Sequence, residues 1–74
     1  MLDRLRAVVA SALQIDEDEI DASTSPRNTP AWTSLLHLML LAGVEQEFGI
    51  QFTMDEMAQA QSVAEIAALI ERKQ

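Results

Sequence analysis

The stretch Trp32-Thr33-Ser34-Leu35-Leu36-His37-Leu38-Met39-Leu40-Leu41-Ala42-Gly43-Val44 decides the fold, because a hydroxyl residue stands directly before a long apolar run. Thr33 is placed to accept a hydrogen bond from a free amide of a first helical turn, so it reads as the N-cap of a helix. The run continues through Glu45-Gln46-Glu47-Phe48, and Gly49 ends it. This is the second of four predicted helices.

Upstream, Leu2, Leu5, Val8, Val9 and Leu13 recur at three- and four-residue steps and form the stripe of a first amphipathic helix, from Leu2 to Leu13. The segment Gln14 to Asp21 follows as an ordered, solvated loop anchored by Ile15 and Ile20, since its packed acids would repel one another. Ala22 to Pro30 is built from turn formers, and its two prolines hold the preceding residues extended. The result is one long loop between the first two helices.

Downstream, Phe48, Ile50 and Phe52 wedge the connection against the bundle. Thr53-Met54-Asp55-Glu56 and Ser62-Val63-Ala64-Glu65 both have capping-box spacing and announce two more helices. The third is short, about Met54 to Ala58. The fourth carries Val63, Ile66, Ala67 and Ile70 inward and closes with Arg72 and Lys73, whose charges suit a helix C-terminus. The fold class is therefore all-α: a four-helix bundle in a single domain over residues 1–74.

A chain of 74 residues has room for one small core and none for a deep active site. Its stability falls at roughly 4 to 11 kcal/mol on the per-residue scale, and with no cysteine it has no disulfide. Twelve acidic against five basic side chains give a net charge of −7, which opposes nucleic acid and favours basic protein surfaces. The apolar run is too short to span a bilayer and is broken by His37. No membrane partner, a cytoplasmic location and a monomeric state are expected.

Between Leu35 and Val44 the only polar side chain is His37, so the second helix is apolar on nearly every side. Leu35, Leu38, Leu41, Ala42 and Phe48 are candidates for its inward stripe, which leaves Leu36, Met39, Leu40 and Gly43 wholly or partly outside. Exposed apolar groups on so small a domain mark a partner surface. The candidate partner-binding set is Leu35, Leu36, His37, Met39, Leu40 and Gly43. The alternative is a central helix contacted on several sides.

Thr33-Ser34-Leu35, the Glu45-to-Ile50 helix end, the short third helix and the Ser62-Val63 opening of the fourth together resemble the acyl carrier proteins and related peptidyl carriers. The likeness covers nearly the whole chain and includes Trp32, which often precedes the motif in stand-alone bacterial carriers. It implies a four-helix carrier bearing a 4'-phosphopantetheine arm on Ser34, which holds an acyl, aminoacyl or glyceryl-type group as a thioester. The implied partners are a phosphopantetheinyl transferase, a loading enzyme and a downstream synthase or transferase. No catalytic residue is implied. Thr33 replaces the family's usual aspartate, and Leu36 and Met39 stand where fatty-acid carriers tend to carry acids, so the resemblance implies a dedicated biosynthetic pathway. Glu45 and Glu47 are left to steer encounters.

Several other readings are set aside. His37 lies three residues after Ser34, but no orienting group follows it, so a serine nucleophile is not supported, and His37 is expected exposed beside the arm. The acidic loop from Asp16 to Asp21 lacks the central glycine and final glutamate of a calcium loop. The four methionines form no metal pattern, and Met54 and Met57 are expected to fill space near the core and the arm's path. The competing class is an unmodified helical interaction module that binds through the apolar face of the second helix.

Overall fold

The computed structural model describes residues 1–74 as α1 (Leu2–Leu13), a 3-10 turn at Glu17–Glu19, α2 (Ser34–Phe48), α3 (Met54–Gln59) and α4 (Val63–Lys73), with no strand. The predicted helix order and the long loop are both present. α3 runs one residue past its expected end. No helix is long and apolar enough to cross a membrane.

Leu5, Val9, Ala10 and Leu13 of α1 pack with Leu40, Leu41, Val44 and Phe48 of α2 and with Val63, Ile66, Leu69 and Ile70 of α4 in one core. Ile20, Trp32, Phe52 and Ala60 join from the connections. Leu2, expected in the inward stripe of α1, is exposed as the first residue of the helix, and Ala10 is buried in addition to the expected residues. The helices α1 and α2 lie close at Gly43, where an added Cβ would come within 3.2 Å of Val8 Cγ1. Arg4 ties the start of α1 to the end of α2: it donates to the Glu47 carboxylate (3.1 Å) and carbonyl (2.9 Å), and its guanidinium lies 4.6 Å from the Phe48 ring centre.

The acidic segment keeps its charges in water while Ile20 is buried beneath it, and Arg6 donates to the carbonyls of Glu17 and Ile20. The long loop is anchored along its length. Thr24 is buried, its hydroxyl accepts from the Asp21 amide at 2.9 Å, and Ser23 donates to Asp21 from both its amide and its hydroxyl. Those Ser23 bonds hold the Asp21 carboxyl below the ordinary carboxylate range. The loop then crosses the start of α4, whose Val63 and Ala64 amides donate to the carbonyls of Thr24 (2.9 Å) and Ala22 (3.1 Å).

Two predicted capping boxes come out differently. At α3, Thr53 and Glu56 satisfy each other's amides in a full box, and Lys73 adds a 2.8 Å ion pair to Glu56. At α4, Ser62 caps the Glu65 amide, but the Glu65 carboxylate turns to the Ser62 hydroxyl instead of reaching the backbone. The Ser62 amide thus lacks the bond a full box would give it, while loop carbonyls serve the Val63 and Ala64 amides.

Candidate functional site around the start of helix two

Thr33 has extended backbone and its Oγ1 accepts from the Leu36 amide at 3.3 Å, while its carbonyl accepts from the His37 amide at 2.8 Å. Ser34 is therefore the first residue of the helix. A helix leaves its first four amides without internal partners. Thr33 satisfies the third and fourth, and the amides of Ser34 and Leu35 stay open. No acidic residue lies in this first turn. The open amides and the positive end of the helix dipole make the position suited to an anion.

The Ser34 hydroxyl is exposed and bonds to nothing in the protein. Ser23, Ser25 and Ser62 each use their hydroxyl in a local turn or cap. Ser11 sits inside α1, where every amide around it is part of the helix. Only Ser34 combines a free hydroxyl with a helix start. Beside it lies a cleft of about 340 Å³ lined by Pro26, Trp32, Thr33, His37, Leu38 and Gln61, with no carboxylate. A second hollow, of about 260 Å³, continues from His37 and Leu38 towards Met54 and Met57 of α3.

The sequence-predicted partner set is divided among four places. Leu35 stands in solvent, 68% exposed. Leu36, Met39 and Gly43 line a larger groove of about 700 Å³ between α1 and α2. Leu40 is 0% exposed and belongs to the core, which corrects its outward placement. His37 is also corrected: it is half-buried, accepting at Nδ1 from Trp32 Nε1 (2.9 Å) and facing the Met57 carbonyl with Nε2 (3.0 Å). Its ring is engaged on both sides.

The inward stripe of α2 is corrected as well. Leu35, Leu38 (57% exposed) and Ala42 face outward, and the true stripe is Leu40, Leu41, Val44 and Phe48, with Leu36 half-buried at its start. The outward apolar face is thus Leu35, Leu38 and Met39 (56% exposed), spaced one turn apart just after Ser34. Met54, expected near the core, is 86% exposed on α3, and only Met57 packs against the core.

The two acids expected to steer encounters are occupied within the fold. Glu45 accepts from the Phe52 amide at 2.7 Å, which pins the chain after Gly49, and Glu47 is paired with Arg4. Gly49 ends α2 in the left-handed region at φ 66°, as glycine at that position allows. No group of three or more His, Cys, Asp or Glu residues is arranged to hold a metal ion.

Comparison with curated proteins finds no match to this chain. A family model described as the phosphopantetheine attachment site matches residues 3–70, from the first turn of α1 to the last turn of α4. Proteins of this family carry 4'-phosphopantetheine covalently on a serine, are not enzymes themselves, and meet a phosphopantetheinyl transferase and acyl-handling enzymes. The open helix start with its free hydroxyl fits such a group, since a phosphodiester there would meet two unpaired amides and no carboxylate. By this match across nearly its whole length, the chain belongs to the phosphopantetheine attachment site family of carrier proteins.

Proposed function

We propose that Ser34 is the residue that takes the arm, and that the chain works as a single-domain, monomeric, cytoplasmic carrier for a dedicated biosynthetic pathway. The observation that carries this reading is the free, exposed Ser34 hydroxyl at a helix start with two open amides. Ser34 Oγ would supply the ester oxygen, the open amides of Ser34 and Leu35 would be free to hold the phosphate, and Thr33 holds the turn in helical geometry without spending either amide. The arm contributes a thiol on which an acyl, aminoacyl or glyceryl-type group rides as a thioester.

The enzymes that act on Ser34 must cover the surface around it. That surface is the apolar face Leu35, Leu38 and Met39, and the cleft beside Ser34 has no carboxylate in its lining, so recognition rests on apolar contact. Charge enters at longer range, through the net −7 of the whole chain. Leu35 and Met39 keep the role expected for them, Leu38 joins them, and Leu40 leaves.

The deciding experiment is intact-protein mass after incubation with coenzyme A, magnesium and a broad-specificity phosphopantetheinyl transferase. Wild type gains one arm, and Ser34→Ala gains none while keeping its helical circular dichroism. The exposed, unbonded hydroxyl makes the expected stability change no more than about 0.5 kcal/mol. An arm on Ser34→Ala would move the site elsewhere, and no arm on wild type would favour the unmodified interaction module.

A further inference from the structure

Trp32 and His37 do not belong to the arm's attachment chemistry, yet both are held in the protein by specific bonds beside it. With Thr33 as N-cap, Trp32 is the residue before the cap and His37 the fourth residue of the helix. These are the two positions that a hydrophobic staple uses to set the angle at which a chain joins its helix. Here the staple is polar as well as apolar. The rings lie 5.9 Å apart at 30°, Trp32 is buried, and its indole N–H donates to His37 Nδ1. An indole nitrogen only donates, so Nδ1 is the bare nitrogen, the ring proton is on Nε2, and Nε2 donates to the Met57 carbonyl.

That carbonyl needs a partner. Met57 lies near the end of the six-residue α3, where the next amide in helical register, Gln61, turns to the Gln59 carbonyl instead. His37 supplies the missing donor. One imidazole therefore bonds the loop before Ser34 on one side and α3 on the other.

We propose that the Trp32–His37 latch positions the Ser34 hydroxyl for arm transfer, with its Trp32 side setting the direction of the first turn and its Met57 side holding α3 beside the cleft. This rests on the reading of Ser34 as the attachment site. The two sides are separable by substitution, because an asparagine amide oxygen stands near the place of Nδ1 and a glutamine amide nitrogen near that of Nε2. His37→Asn keeps the acceptor for Trp32 and gives up the reach to Met57. His37→Gln does the opposite.

The chain has one tryptophan and one histidine, so the indole proton and the ring nitrogens each give a single, unambiguous nuclear magnetic resonance signal. In wild type the ring nitrogens should show the Nε2–H tautomer and the indole proton should exchange slowly. Trp32→Phe and His37→Gln should lower kcat for arm transfer about tenfold, as a misplaced reacting group does, with KM within about twofold because the apolar docking face is intact. His37→Gln should also lose indole protection, whereas His37→Asn should keep the protection, shift the Ala58 to Gln61 amide signals as α3 comes free, and lose less kcat than His37→Gln. Should Trp32→Phe fail to fold, the two His37 variants carry the test between them.

An Nδ1–H tautomer, an unchanged kcat in His37→Gln, or a loss confined to KM would overturn the positioning role. Failure of the Ser34 reading shows differently, as a wild type that takes no arm or a Ser34→Ala that takes one. It would remove the positioning role whatever the latch variants did.

Discussion

At the start of α4 all four leading amides have partners: Val63 and Ala64 donate to the loop carbonyls of Thr24 and Ala22, and Glu65 and Ile66 donate to Ser62. At the start of α2 only the third and fourth amides do, both on Thr33, and the first two are open. Each helix begins with one hydroxyl cap, but α4 has Glu65 in its first turn and α2 has no acid there. The start of α3 also leaves its first two amides open, but it carries Asp55 and Glu56 in its first turn. The one at Ser34 is capped enough to exist and otherwise left available, with direction supplied by the staple from Trp32 to His37 in place of a glutamate.

The largest effect should come from making the α2 start resemble its counterpart. Leu35→Glu places a carboxylate in the first turn beside Ser34. It should raise stability by about 0.3–1 kcal/mol through the helix dipole. Arm transfer should fall about tenfold or more, because the new charge faces an incoming phosphate and breaks the apolar face. A time course of intact mass together with a thermal melt reads both. An unchanged rate would show that the absence of acid there has no function.

The converse change is smaller. Ser62→Ala removes a cap from α4 and should cost about 1 kcal/mol, lowering Tm by roughly 4–8 °C in a domain of this size. Its rate of arm transfer should match wild type. A slower rate would mean that the two helix starts are coupled, and the contrast between them would lose its meaning.

The smallest test uses acid. The Lys73 ammonium hydrogen-bonded to Glu56, helped by the Thr53 amide, holds the Glu56 carboxyl below the ordinary glutamate range. A carboxylate whose folded value is depressed adds stability above its unfolded value and loses it as pH falls through the folded one. The box at α3 should therefore loosen below about pH 4.3, while in His37→Asn, which removes the imidazole, the start of α2, capped by a hydroxyl, should not respond. Amide chemical shifts of Glu56 and Leu36 through an acid titration compare the two directly. Equal movement at both positions would contradict the assignment.

Much of this contrast was legible in the residues themselves. Thr33, Thr53 and Ser62 announce their helices, Gly49 ends α2, and Ser34 lies at the first helical position as read. The rotation of α2 was not legible from its apolar content, because a helix apolar all round carries no polar mark to orient it. Counting back in fours from Phe48, the last residue before Gly49, gives Val44, Leu40 and Leu36, and would have recovered the stripe. The five-residue spacing of Trp32 and His37 held the same information once Thr33 was read as the cap. The engagement of Glu45 and Glu47 depends on where Phe52 and Arg4 arrive in space, and no local pattern encodes that.

The bonds from Ala22 and Thr24 to α4 also bear on the order in which the molecule forms. They join an early part of the chain to a late one, so the loop gains its anchor only after the last helix exists, and that helix gains its first two partners only after the loop is laid down. Closing so long an intervening segment carries an entropic cost that must be met before the contacts return anything. Arg4 and Glu47, which tie α1 to α2, span 43 residues, so chain length gives that pair no head start. The loop and the start of α4 should thus order in one concerted step of refolding, in which the Val63 and Ala64 amides gain protection together.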